Sequence, residues 1–276
     1  MKHGILALLL LGCALPAVAA SRNDIPSCYA FAELTAAKPS ASSRELVVVV
    51  DETTPLTLDL KKEALSHVLR FTQAGDRVKI YRFSAFLPDS HMKLEFAGEL
   101  ETALDEQTRN ATGQASLKKL DTCLKQQMAF FQNTVAKRLG ASFGDSEKQI
   151  AKSEILYSLK QIGDDWRNSP SSERVLFMVS DMLENSDYAS FYQNNQIREL
   201  DPKAEMAKVS KHELQADFNG ARVFVHAAGL VPNNVKHGYR SGKVMQSIER
   251  FWRDYFTAAG ATLAGFGAPS LTTDLN

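Results

Sequence analysis

Two aspartates close strongly apolar runs. Asp51 ends Leu46-Val47-Val48-Val49-Val50, and Asp181 follows Val175-Leu176-Phe177-Met178-Val179-Ser180. At neighbouring strand ends two such carboxylates would repel unless a positive charge lay between them. A hard divalent cation, Mg²⁺ or alternatively Mn²⁺ or Ca²⁺, takes oxygen ligands and keeps several waters. Thr53, two residues beyond Asp51, offers a hydroxyl from the same loop. Ser153, just ahead of a helical apolar pattern, offers another from a different loop. Such a set leaves coordination positions for water or for a carboxylate supplied by a partner. Each residue also has a plainer role: aspartate forms turns at strand ends, and Thr or Ser caps helices.

The surrounding pattern supplies the scaffold. The two β-branched and apolar runs suit strands buried on both faces of a parallel sheet. Leu60, Ala64, Val68 and Phe71 recur at helical spacing after a cap at Thr57 or Asp59, with Gly75 as the expected stop. Val78–Phe83 and Leu94–Leu100 read as strands. Residues 105–140 read as mostly helical, and Ile155, Leu159, Ile162 and Trp166 mark a further helix. Then come a helix over 202–214 with proline at its start, a strand at Val223-Phe224-Val225, a long helix with the stripe Val244, Ile248, Phe251, Trp252, Tyr255 and Phe256, and a strand at 262–266. That alternation predicts an α/β fold, doubly wound, with a mostly parallel central sheet flanked by helices and a helical insertion. Folds of this kind bind ligands at the carboxyl ends of their strands, where both aspartates fall. The stretch 185–219 is polar and aromatic-rich with no convincing strand. Tyr188, Phe191 and Tyr192 lie there beside Asp181, either as a recognition surface or as packing. The aromatic stripe of the last helix reads as core, and His67, His91, His212, His226 and His237 show no ligand spacing.

Several segments resemble the von Willebrand factor A (vWA) family, in the family's order and over most of residues 45–276. Val47 to Asp51 with Glu52-Thr53 is similar to its first strand and metal-binding turn. Gln73-Ala74-Gly75-Asp76-Arg77-Val78 with Arg82-Phe83-Ser84 resembles its turn into the second strand. Lys152-Ser153-Glu154-Ile155-Leu156 resembles the start of its third helix, and Val175 to Asp181-Met182-Leu183 its fourth strand and Ser-Asp loop. The resemblance implies a metal ion-dependent adhesion site formed by Asp51, Thr53, Ser153 (Ser146 being the weaker alternative) and Asp181. It implies a binding module whose partner is another exported or envelope protein. Pro55 stands where the family's loop has a second serine, so one direct ligand is missing and the site is incomplete. A metal-independent scaffold domain of an envelope assembly is therefore the alternative. An enzyme is not expected, because no G-x-S-x-G, H-E-x-x-H or Gly-rich phosphate loop occurs. A metal-assisted phosphatase of the haloacid dehalogenase type would need an acid where Thr53 stands and another where Met182 follows Asp181.

Residues 1–20 read as a secretory signal peptide: an apolar run from Ile5 to Leu11 too short to span a bilayer, then Ala17-Val18-Ala19-Ala20. Periplasmic or secreted localisation follows, with a lipoprotein anchor at Cys13 as the lesser alternative. Cleavage leaves Cys28 and Cys123, which in an oxidising compartment are expected to pair. Such a bond would tie an irregular strap, residues 21–44, to a distant helix and stabilise by about 4 kcal/mol through loop closure. The 276 residues carry 32 Lys plus Arg against 32 Asp plus Glu. With no basic excess, nucleic acid is not an expected partner, and no segment after residue 20 is apolar enough to span a membrane.

Overall fold

A computed structural model describes residues 22–40, 44–84, 92–144, 152–167, 169–194, 196–231 and 242–276. Residues 1–20, read above as a signal peptide, with Cys13, and also Ser146, His91 and His237, lie outside the described residues. The valine run forms β1 (Arg44–Asp51), buried from Glu45 onward. It continues through α2 (Leu58–Phe71) into β2 (Arg77–Phe83) and β3 (Met92–Glu99). After a helical stretch come β4 (Glu173–Val179), a two-residue ribbon of β5 (Tyr192–Gln193) and β6 (Gln196–Ile197), β7 (Arg222–His226) and β8 (Thr262–Phe266). The main sheet has the order β3-β2-β1-β4-β7-β8, with every neighbouring pair parallel except β2 and β3. This is a doubly wound α/β sheet. The chain winds outward from β1 in one direction through β2, then restarts on β1's other side at β4. The carboxyl ends of β1 and β4 therefore lie side by side at the switch point, where open α/β sheets leave a crevice.

Alternation along each strand feeds two layers. Val47, Val49, Leu176, Met178, Val223 and Val225 face α5 (Ile155–Trp166) and α7 (Gly242–Ala258). Leu46, Val48, Val50, Val175, Phe177 and Val179 face α2 and α4 (Gln114–Ser142). Full burial of each such side chain contributes about 1.5–3 kcal/mol, so the runs that read as strands in sequence also hold the layers together. A short helix α6 (Pro202–Lys211) packs against α7.

Local signals account for most boundaries. The Thr57 hydroxyl accepts the Leu60 N–H at 3.3 Å, capping α2. That helix stops at Phe71 instead of running to Gly75. Gly75 serves the turn into β2, with φ 94°. The expected helical stretch at 105–140 is divided. α3 (Glu106–Asn110) is capped by the Asp105 carboxylate, and α4 begins again after Gly113. α6 ends at Lys211, short of Leu214. The strap is tied down as the cysteines implied: a disulfide joins Cys28, in α1 (Cys28–Phe31), to Cys123 in α4 across 95 residues. Around it Tyr29, Leu104, Leu117 and Leu120 form a small separate core.

Candidate functional site

β1 delivers Asp51 to the crevice and β4 delivers Ser180-Asp181. The Asp51 side chain is saturated with donors. Its Oδ1 accepts the Thr53 backbone N–H at 3.0 Å and the Thr53 hydroxyl at 2.6 Å. Its Oδ2 accepts the Ser153 hydroxyl at 2.9 Å and the Ser180 hydroxyl at 3.0 Å. Ser153 is positioned by backbone pairing with Asn185, each N–H reaching the other's carbonyl at 3.0 Å, immediately before α5 starts. Asp181 folds its Oδ1 onto the Leu183 N–H at 2.8 Å. The turn is completed by Met182 in the left-handed region at φ 58°, and Gly229 donates its N–H to the Asp181 carbonyl at 2.8 Å. Both aspartates thus form the side-chain turns that aspartate favours at strand ends.

Of the four predicted oxygen donors, Asp51, Thr53 and Ser153 are in direct contact. Asp181 is linked to them through two hydroxyls that sequence reasoning did not assign. The Thr54 hydroxyl accepts the Asp181 N–H at 3.0 Å, and the Ser180 hydroxyl binds Asp51 while accepting the Met182 N–H at 2.9 Å. Thr54 therefore bridges the two loops beside Pro55, which has no hydroxyl to do so. The only signal for Ser180 was its place directly before Asp181, and short hydroxyl residues are too common at strand ends for that to single it out.

Burial sets the electrostatics. Asp51 and Asp181 are 1% and 6% exposed. Burial pushes Asp51 up from the ordinary carboxylate range against the hydrogen bonds from Thr53, Ser153 and Ser180. Burial, and then the charge of Asp51, pushes Asp181 well up. Glu184, three residues on, is fully buried and raised by that burial to about 8. Its Oε2 accepts the Leu156 N–H at 2.9 Å at the α5 N-terminus, where a negative end is favoured. Burial and the charges of Asp181 and Asp51 also raise the Tyr192 phenol, which places Tyr192 beside the pair. Among the described residues none of the three carboxylates has an ion-pair partner, and no cluster of three or more His, Cys, Asp or Glu residues is arranged to share a metal. The donor set is two carboxylates and several hydroxyls, all oxygen, which fits a hard cation and no soft one.

The aromatic loop divides. Tyr188 stays 36% exposed and stacks on His212 with ring centroids 5.2 Å apart. Phe191, read as a candidate contact residue, is fully buried instead. It packs edge-on against Phe251 at 5.2 Å and lies 6.0 Å from Trp252. The apolar stripe of α7 needed a cover, and Phe191 provides it. The indole of Trp252 also donates to the Met182 carbonyl at 2.9 Å, so this core fixes the Asp181 loop from beneath.

No family model and no curated protein matches the chain. Among solved structures it is similar to three N-terminal domains of the type V pili tip protein Mfa5 from Porphyromonas gingivalis (12% identity, 53% of this chain and 21% of that one, TM-score 0.28). It is also similar to the pilus adhesin SpaC from Lactobacillus rhamnosus GG (11% identity, 78% and 27%, TM-score 0.40). A third is an aerotolerance-related membrane protein from Bacteroides fragilis NCTC 9343 (12% identity, 82% and 92%, TM-score 0.34). The chain spans about a fifth and a quarter of the two pilus proteins it matches. At these TM-scores the likenesses carry no argument about function. No helix among the described residues is long and apolar enough to cross a membrane.

Proposed function

We propose that this chain is an exported, vWA-like protein-binding module. In this reading Asp51, Thr53, Ser153 and Asp181 hold a divalent cation, Mg²⁺ before Mn²⁺ or Ca²⁺, and a partner protein completes its shell with a carboxylate. The observation that carries it is the Asp51 carboxylate gathering the Thr53 and Ser153 hydroxyls beside a second buried aspartate, with no cationic side chain among the described residues paired to either. When bound, the cation would cancel the Asp51–Asp181 repulsion and polarise an incoming carboxylate oxygen. The chain's own residues do the positioning. Ser180 and Thr54 fix the two loops relative to one another, and Glu184 holds the start of α5, just after Ser153, against the Asp181 loop. The Cys28–Cys123 disulfide supports export, since such bonds persist in oxidising compartments.

A second reading, a metal-free scaffold of an envelope assembly, is favoured by Pro55 and by the internal partners that Asp51 and Asp181 already have. Thermal unfolding of the mature, oxidised protein with and without Mg²⁺ or Mn²⁺ separates the two, beside Asp51→Ala and Asp181→Ala. Ligand that binds only the native state raises stability, by about 2.7 kcal/mol at a hundredfold excess over Kd. The cation reading expects a rise in the wild type that both variants lose. An unresponsive wild type leaves the scaffold reading. Turnover of p-nitrophenyl phosphate that is lost in Asp51→Ala would replace both with a phosphatase.

A further inference from the structure

On the α2 side of the sheet two buried histidines, one of them the last residue of β7 beside Ser180, grip one residue of the C-terminal segment. The Leu271 N–H donates to His226 Nδ1 at 3.2 Å, and the Leu271 carbonyl lies 3.0 Å from His67 Nε2. A carbonyl only accepts, so His67 Nε2 carries a proton. Its Nδ1 faces the Arg70 guanidinium at 3.2 Å, a group that only donates, and is therefore bare. His226 has the same form. Its Nε2 donates to the Leu60 carbonyl at 3.1 Å, and its Nδ1 accepts from Leu271. Both rings are neutral, and each of their four nitrogens is committed.

We propose that His67 and His226 form an acid-released latch for the C-terminal segment, residues 267–276. A second proton on His226 would land on Nδ1 and set an N–H against the Leu271 N–H. A second proton on His67 would set an N–H against the Arg70 guanidinium. The ring centroids are 6.0 Å apart, so two imidazolium charges would also repel each other. The surroundings offer little compensation. α2 presents Glu63, 4.0 Å from His226 Nε2 but also bonded to the Ser270 hydroxyl, together with Arg70. The tail presents Asp274, which pairs with Arg70 at 2.9 Å. β4 presents only Phe177, 5.7 Å from the His67 ring and 6.2 Å from that of His226. The ties Arg70–Asp274 and Ser270–Glu63 are exposed and weak. Leu271 and Leu275 are buried in the α2-side core, and the histidine contacts fix the Leu271 backbone there.

Burial lowers both imidazoles from their ordinary value; the Leu271 and Leu60 carbonyls oppose it, while Arg70 adds to the lowering at His67. The released state therefore takes up protons first, as pH falls below the ordinary histidine range near 6.5, and the latched state loses stability across that window. The tail also supports the turn after β7. Ala227 and Ala228 donate their N–H groups to the Pro269 and Gly267 carbonyls, and the next residue, Gly229, holds the Asp181 carbonyl. Release at the latch thus loosens one support of the strand-end crevice.

The test is hydrogen exchange of the mature chain at pH 7.5, 6.5 and 5.5, corrected for intrinsic rates and followed in the peptide covering 267–276. Protection there is expected to fall as pH drops below about 6.5, by up to about a hundredfold per pH unit when both histidines take up a proton, while β1 is unchanged. The double variant His67→Gln, His226→Gln is expected to exchange independently of pH. Equal tail protection at pH 7.5 and 5.5 in the wild type would overturn the latch, as would an undiminished pH response in the double variant. If that variant does not fold, an imidazole titration of the wild type by NMR decides: depressed values for both histidines uphold the latch, and values at or above 6.5 overturn it.

Discussion

Strand β1 begins and ends on a buried carboxylate, and its two ends treat them oppositely. Glu45 at the amino end has a cation and two neutral donors. Lys79 Nζ lies 3.5 Å from it, the Trp166 indole donates at 2.8 Å, and the Ser169 hydroxyl donates to the same oxygen. Lys79 also pairs with Asp165 at 3.0 Å, and Asp165 accepts from the Tyr81 phenol. About 20 Å away along the strand, Asp51 meets only hydroxyls, a backbone N–H and a neighbouring aspartate. Asp165 at the amino end and the carboxyls at the other end shift in opposite directions. Burial raises Asp165, but Tyr81 and Lys79 outweigh it and hold that carboxyl below its usual range. Asp51, Asp181 and Glu184 are all pushed above theirs. A buried carboxylate with a partnered charge holds the fold together. One without is a standing cost that a bound cation would remove, so the balance of charge separates scaffold from site where residue type alone does not.

The comparison breaks most visibly at Glu45. Glu45→Ala leaves the Trp166 N–H without its acceptor and Lys79 without its buried partner. Losing one member of a buried pair costs about 3–5 kcal/mol. Lys79 is a quarter exposed and keeps Asp165, so a loss near the lower end, about 3 kcal/mol, is expected in urea unfolding at pH 7. A loss below about 1 kcal/mol, the level of a surface ion pair, would mean that the amino end does not depend on its charge pairing.

Glu184→Gln probes the other end with the opposite sign. Its carboxyl is raised from 4.5 to about 8, so over that window the folded protein holds a proton that the unfolded chain has released. Stability from this group is complete below about 4.5 and declines as pH rises toward 8. Glutamine keeps an oxygen for the Leu156 N–H and does not titrate. With a chelator present, the variant should match the wild type at pH 4.5. It should exceed it at pH 8 by on the order of 2 kcal/mol. Taking the difference between variant and wild type cancels the histidine contribution, which runs the other way. A wild type that loses nothing relative to the variant as pH rises would remove the contrast between the two ends.

Which parts of this were legible follows from how far each signal reaches along the chain. The valine run of β1, the apolar run of β4 and the four-residue spacing of α2 are local, and all three elements formed on them, α2 ending at Phe71, short of Gly75. Asp51 and Asp181 were legible because a doubly wound sheet puts particular strand ends together, and Ser153 because it heads a helix. Thr54, Ser180 and Glu184 were not, since their meaning depends on loops that meet only after folding. Phe191 stayed open between surface and packing, because an aromatic in a polar stretch does not decide between them until the stripe of α7 is placed against it. The histidine pair was invisible for a related reason. His67 and Leu271 are 204 residues apart, and no spacing rule reaches that far.

The smallest effect belongs to Asp165, and it is the sharpest control. Asp165 shares Lys79 with Glu45 but is about half exposed, so water and salt screen most of its interaction. Asp165→Asn keeps an acceptor for the Tyr81 phenol and removes the charge. Because the folded carboxyl lies below its usual range, its contribution is present above the ordinary aspartate value and disappears as pH falls through the folded one. The expected loss is therefore about 0.5 kcal/mol at pH 7, fading as pH falls below the ordinary aspartate value, in urea unfolding. A loss at pH 7 as large as that of Glu45→Ala would show that the amino-end network acts as one unit. A small loss would fix the weight on the buried carboxylate, leaving Glu45 and Asp51 as a matched pair, equally deep and differing in the charges around them.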